Sequence, residues 1–208
     1  MRKIQMSLPV ILLLLTGAAE MHAQQSPSPA TTELASSAND SIVSQLNQQL
    51  SFVEAEVMGA AKAMPEEKYS FVPATGEYKG VRNFGQQAVH IASANYLLYG
   101  AIVPDDPTAA AQRQAAASAK TKEQILEYLQ ESFAFAHKAI AAIDAKTMTK
   151  PVTHPPNPFA ATPLELAVFG CSHGTDIYGQ MVEYLRLNGI VPPFTASRPG
   201  RGTAQSSR

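Results

Sequence analysis

The chain has 208 residues, with 16 Lys and Arg against 17 Asp and Glu and a single cysteine. Without a positive excess it lacks the electrostatic attraction that drives sequence-independent binding to phosphate backbones, so nucleic acid is not expected as a partner. Cys171 alone cannot form an intramolecular disulfide, which leaves a buried free thiol as its expected state and excludes a catalytic dithiol.

Residues 1–23 have the three parts of a secretory signal: basic Arg2 and Lys3, an apolar run from Leu8 to Leu15, and small residues leading to Ala23. The run is far short of the roughly 20 residues that span a bilayer. No cysteine follows it to carry a lipid. The expected location is therefore periplasmic or secreted, with no stable membrane anchor after cleavage. What remains is the size of one ordinary domain, long enough to bury a core without a structural metal. Residues 24–39 are Ser, Pro, Ala, Thr and Gln with few large apolar side chains, which predicts a flexible linker.

The bundle domain is expected over 40–193. Its first helix is predicted from Ser41 to Met64, where Ile42, Leu46, Leu50, Val53 and Val57 line one face and Pro65 stops the helix. The prolines and glycines between Pro65 and Arg82 predict an ordered loop packed through Tyr69, Phe71 and Tyr78. Asn83 and Gln86 then form a capping box for a second helix with the stripe Phe84, Ala88, Ile91, Leu98 and Ile102, ending before Pro104. An alanine-rich polar stretch leads to Thr121, whose capping box opens a third helix with the stripe Ile125, Leu129, Phe133, Ala136, Ile140 and Ile143. Prolines at 151, 155, 156 and 158 make the next connection extended.

Thr162, Pro163 and Glu165 give the fourth helix the clearest start. Asn188 and Gly189 end it, and Pro192 and Pro193 forbid continuation. Residues 194–208 read as a disordered tail. Four amphipathic segments of this length hide their apolar faces only against one another, so the fold class is all-α, a four-helix bundle.

Four histidines follow the signal: His90, His137, His154 and His173. On the second helix His90 shares a side with Ala94, Leu97 and Ala101. On the fourth, His173 lies in the stripe Leu166, Phe169, Ile177, Met181 and Tyr184. Imidazoles on facing helices are one way to build a metal site inside a bundle, a packed core role for both being the alternative. Gly170, Gly174 and Gly179 each weaken the fourth helix by about 1 kcal/mol relative to alanine, which close helix approach or room for a ligand explains. Tyr96, Tyr178 and Tyr184 are candidates to close such a pocket.

The strings "MPEEKYSF", "NFGQQAVHIASANYLL" and "SHGTDIYGQMVEYLRLNGIVPP" resemble those of the DinB-like (damage-inducible) four-helix-bundle family, in its secreted bacterial branch. The resemblance spans residues 40–193. It implies an up-down-down-up bundle and a divalent-metal pocket, zinc or nickel, made by three histidines. One lies on the second helix, matched by His90. Two lie four residues apart on the fourth, matched by His173 and by Ile177, which has no lone pair to give. Asp176 and His137 are the candidate surrogates for the third ligand, and no bound metal is the other expectation. Two functions follow from the resemblance: a binding or scaffold protein with a degenerate two-histidine pocket, or a metal-dependent enzyme of the thiol-transferase or isomerase type. Ile177 argues for the first, and a homodimer is compatible with either.

Overall fold

Three of the long helices begin where the sequence supplies a reciprocal cap. The computed structural model describes residues 29–156 and 158–197, in which α1 runs Pro29–Ala63, α2 Phe84–Gly100, α3 Thr108–Ala115, α4 Lys122–Ala141, α5 Pro163–Leu187 and α6 Pro193–Ala196. Asn83, Thr121 and Thr162 each accept the backbone N–H three residues on, while Gln86, Gln124 and Glu165 reach back to the cap residue's own N–H. Each box satisfies two donors that the first turn would otherwise leave bare. No β-strand occurs among the described residues, and no described helix is long and apolar enough to cross a membrane.

The four long helices share one core. Leu50, Val53 and Val57 of α1, Phe84 and Ile91 of α2, Leu129, Phe133 and Ile140 of α4, and Met181 and Leu185 of α5 are all fully buried in it. α1 and α2 each pack against both α4 and α5 and lie diagonally opposite one another. Paired residues fix the directions. Lys122 Nζ at the start of α4 donates to the carbonyls of Lys62 and Met64 at the end of α1, so these helices are antiparallel. Ser93 meets Tyr128 and Asn95 donates to Ser132, which makes α2 and α4 parallel. Gln87 meets Gln180 while Tyr99 meets Ala167, which makes α5 antiparallel to α2.

Several expected boundaries are corrected. The linker expected over 24–39 is helical from Pro29, since Ala, Glu and Leu in this stretch favour helix and extend α1 by twelve residues ahead of Ser41; residues 24–28 lie outside the described ones. Ile42, expected on the apolar face, is 37 % exposed, whereas Val43 and Leu46 beside it pack against the core. The alanine-rich stretch holds α3, started by Asp106 accepting the Thr108 N–H at 3.0 Å. The disordered tail expected from Phe194 begins instead with α6, pinned to α1 by an edge-to-face contact of Phe194 with Phe52 at 5.3 Å. Residues 198–208 and the signal at 1–23 lie outside the described residues. In the loop after α1, Tyr69 donates to the Ala61 carbonyl at 2.7 Å and Phe71 packs on Tyr184, whereas Tyr78 stays 38 % exposed.

The glycines of α5 divide by environment. A Cβ on Gly170 would lie 2.5 Å from Tyr99 Oη and one on Gly174 2.8 Å from Val53, whereas one on Gly179 would meet nothing. Gly170 and Gly174 thus mark close helix approach, and no contact explains Gly179. Gly170→Ala is expected to lower stability by about 1–3 kcal/mol, because the Tyr99 ring is buried and cannot retreat. Gly179→Ala is expected to raise it by about 0.5–1 kcal/mol through helix propensity alone. Urea unfolding of both variants checks the pair of signs.

Candidate functional site

The close approach of α5 to α2 brings His90 and His173 together. Their rings meet edge to face with centroids 5.1 Å apart, and His173 also stacks on Phe169, one turn earlier in α5, at 6.1 Å with the planes nearly parallel. Both imidazoles are half-buried. Burial lowers the His90 pKa to about 4, helped by the Arg82 guanidinium and by His173. Burial also lowers that of His173, with Asp176 opposing the shift and Arg82 adding to it. Both rings are therefore neutral at pH 7, with nitrogen lone pairs free of protons.

The rest of the surroundings does not complete a metal centre. Ile177, one turn beyond His173, is 4 % exposed and puts a hydrocarbon side chain where the third ligand is expected. Asp176 is exposed, and its Oδ2 accepts a hydrogen bond from Gln180 Nε2 at 3.3 Å. His137 does not join the pair. It sits between α4 and α1, its Nδ1 2.7 Å from Asn47 Oδ1 and its Nε2 3.2 Å from Glu54 Oε2. Its projection between Phe133 and Ile140 points toward α1, because the packing order of the helices turns that side of α4 away from the α2–α5 seam. Among the described residues no group of three His, Cys, Asp or Glu could hold a metal ion. Two nitrogen donors fall one short of the usual protein ligand set, and a guanidinium close enough to disfavour imidazolium also disfavours a dication.

Two residues of the seam, Arg82 and Gln87, carry no periodic signal in the sequence. Arg82 is a loop residue just ahead of the α2 cap. It lines, with Gln86, His90 and Ser93, a groove of about 460 Å³ beside the imidazole pair. Gln87 is 2 % exposed and donates to Gln180 Oε1 at 2.8 Å, leaving its own Oε1 without a hydrogen-bond partner among the described residues. A polar residue every seventh position along α5, His173 and then Gln180, was the available signal for this seam. Of the tyrosines, Tyr184 belongs here, donating to the Arg82 carbonyl at 3.0 Å and so fixing the loop that carries the guanidinium. Tyr96 instead packs against Tyr128 and Phe135 on the α4 side. Cys171 is buried, 3.8 Å from Tyr99 Oη, and burial raises its pKa, so the thiol stays protonated and unreactive.

The family model of the DinB superfamily matches residues 49–181, well over half of the chain. The match runs from the middle of α1 through α5 beyond Gln180 and contains both histidines. A comparison with curated proteins found no match.

The imidazole geometry sets a pH dependence. Below about 6.5 the unfolded chain takes up a proton on the residue-90 imidazole, whereas the folded chain resists until about 4. Stability contributed by the neutral ring is therefore fully present above 6.5 and is lost as the pH falls toward 4. Thermal unfolding of wild type and His90→Gln across this window is expected to show a shallower acid loss in the variant. Parallel curves would contradict it.

Proposed function

Because the chain belongs to the DinB superfamily, we propose that it acts as an exported binding protein whose two-imidazole pocket is a degenerate form of the metal pocket that family resemblance implies. The observation that carries this reading is Ile177, buried one turn beyond His173 where a third imidazole would otherwise stand. Export rests on the signal pattern of residues 1–23.

Arg82 supports the same reading from the other side. A guanidinium beside two neutral imidazoles replaces the positive charge that a metal would have brought, without offering a ligand position. The adjoining groove sets the Arg82 guanidinium, Gln86, His90 and Ser93 among the apolar side chains of Val81 and Val89, and the guanidinium suits a polar or anionic group. Cys171, the one thiol, is held protonated by burial and faces Tyr99.

Elemental mass spectrometry of the protein purified from the periplasm without chelators tests the reading. Substoichiometric zinc and nickel are expected for wild type, and about one ion per chain for Ile177→His, which restores three imidazole donors. A full equivalent in wild type that is lost in both His90→Ala and His173→Ala would overturn the degenerate-pocket reading and favour the metal-dependent enzyme.

A further inference from the structure

A second pocket, of about 450 Å³, lies between the C-terminal half of α2, α3 and the chain from Thr153 to Pro156. It shares no lining residue with the groove at His90. Its volume falls within the range of about 300–1,000 Å³ usual for small-molecule sites. One wall depends on a contact that only glycine allows. A Cβ on Gly100 would lie 2.7 Å from the Ala109 Cβ, so α3 rests directly on α2. Leu97, Ala101, Ala110 and Pro155 make the lining largely apolar.

The few polar groups are unequal in what they have left to offer. Asp106 is engaged, its Oδ2 accepting from Lys138 Nζ at 2.7 Å and its Oδ1 from the Thr108 N–H at 3.0 Å. Arg113 forms no ion pair among the described residues. Tyr96 is 1 % exposed, its ring held by Tyr128 at 5.6 Å and Phe135 at 5.4 Å. Its hydroxyl nevertheless has no hydrogen-bond partner among the described residues. Tyr69, Tyr99, Tyr128 and Tyr184, buried like it, each donate to a backbone carbonyl. The hydroxyl is not sealed from solvent, and as a lining group without a protein partner it is free to donate to a ligand oxygen. Burial, with a smaller contribution from Glu131, raises the Tyr96 pKa far above its ordinary value, so the phenol is a donor at neutral pH. The Glu131 carboxylate itself is turned to Gln112 Nε2, at 3.4 Å.

We propose that this pocket binds a small organic monocarboxylate with an apolar body, its carboxylate paired with Arg113 and accepting a hydrogen bond from Tyr96 Oη. The apolar walls take the hydrocarbon part, and His154 offers a further polar contact from the loop. The Asp106 carboxylate in the lining, though paired with Lys138, repels a multiply charged anion such as phosphate more than a singly charged one, which favours a monocarboxylate.

Calorimetric titration of the protein with 2-naphthoate, and separately with uncharged 2-naphthamide, tests the site. Saturable binding of one naphthoate per chain is expected, with the amide, Tyr96→Phe and Arg113→Gln each weakening it about tenfold, the size of one charge-assisted hydrogen bond. Tyr96→Phe should leave Tm unchanged, since the hydroxyl has no protein partner to lose. Absence of saturable binding, equal affinity for the amide, or unchanged affinity in either variant overturns the proposal. A lowered Tm in Tyr96→Phe overturns its premise that the hydroxyl is unpartnered.

Discussion

At Gly170 and Gly174, α5 has no side chain to hold its neighbours away, and α1 and α2 close in on it through Val53 and Tyr99. The approach has consequences along the whole seam. It sets Gln87 against Gln180 and the ring of His90 against that of His173, and it leaves Ile177 buried between these two polar pairs. The capping boxes decide where each helix starts, but this contact decides which side chains share a pocket. The same device recurs on a smaller scale at Gly100, which admits Ala109 and seats α3 on α2. In both places the missing methylene is worth more to the packing than the helix propensity it sacrifices.

The electrostatics of the seam follow from its dryness and from one loop. Two half-buried imidazoles close together resist protonation, and Arg82, held by the bond from Tyr184 to its carbonyl, reinforces that resistance. Neutral imidazoles are good ligands. The charge beside them and the hydrocarbon of Ile177 both work against a cation settling there. In the reading proposed above, this is the physical sense in which the pocket would be degenerate: two imidazole donors in surroundings that disfavour a cation.

Much of the fold was legible because it rests on local chemistry. The boxes at Asn83, Thr121 and Thr162 are three-residue signals, and the stripes of α2 and α4 recur at helical spacing, so those helices begin where the sequence places them. Local chemistry also explains what escaped. α3 lacks an apolar stripe and exists through alanine propensity and the Asp106 contact. The start of α1 at Pro29 lies ahead of the apolar stripe that places the helix in the sequence. At the site, His173 was legible as an inward residue of its helix and His90 as one at the edge of the apolar stripe of its own. His137 was not separable from them by projection, because the side of α4 that meets α1 rather than α2 depends on the packing order of the whole bundle. Arg82 gave no signal, since a loop residue has no periodicity and its reach toward both imidazoles arises only once the chain turns into α2.

The central claim, that the His90–His173 pair is held neutral but falls one ligand short of a metal centre, is tested most directly by long-range nitrogen NMR of the ring resonances at pH 7 during titration with zinc. The account predicts neutral-ring shifts for both histidines, unchanged after one equivalent. Saturable, simultaneous shifts of both rings at one equivalent would contradict it.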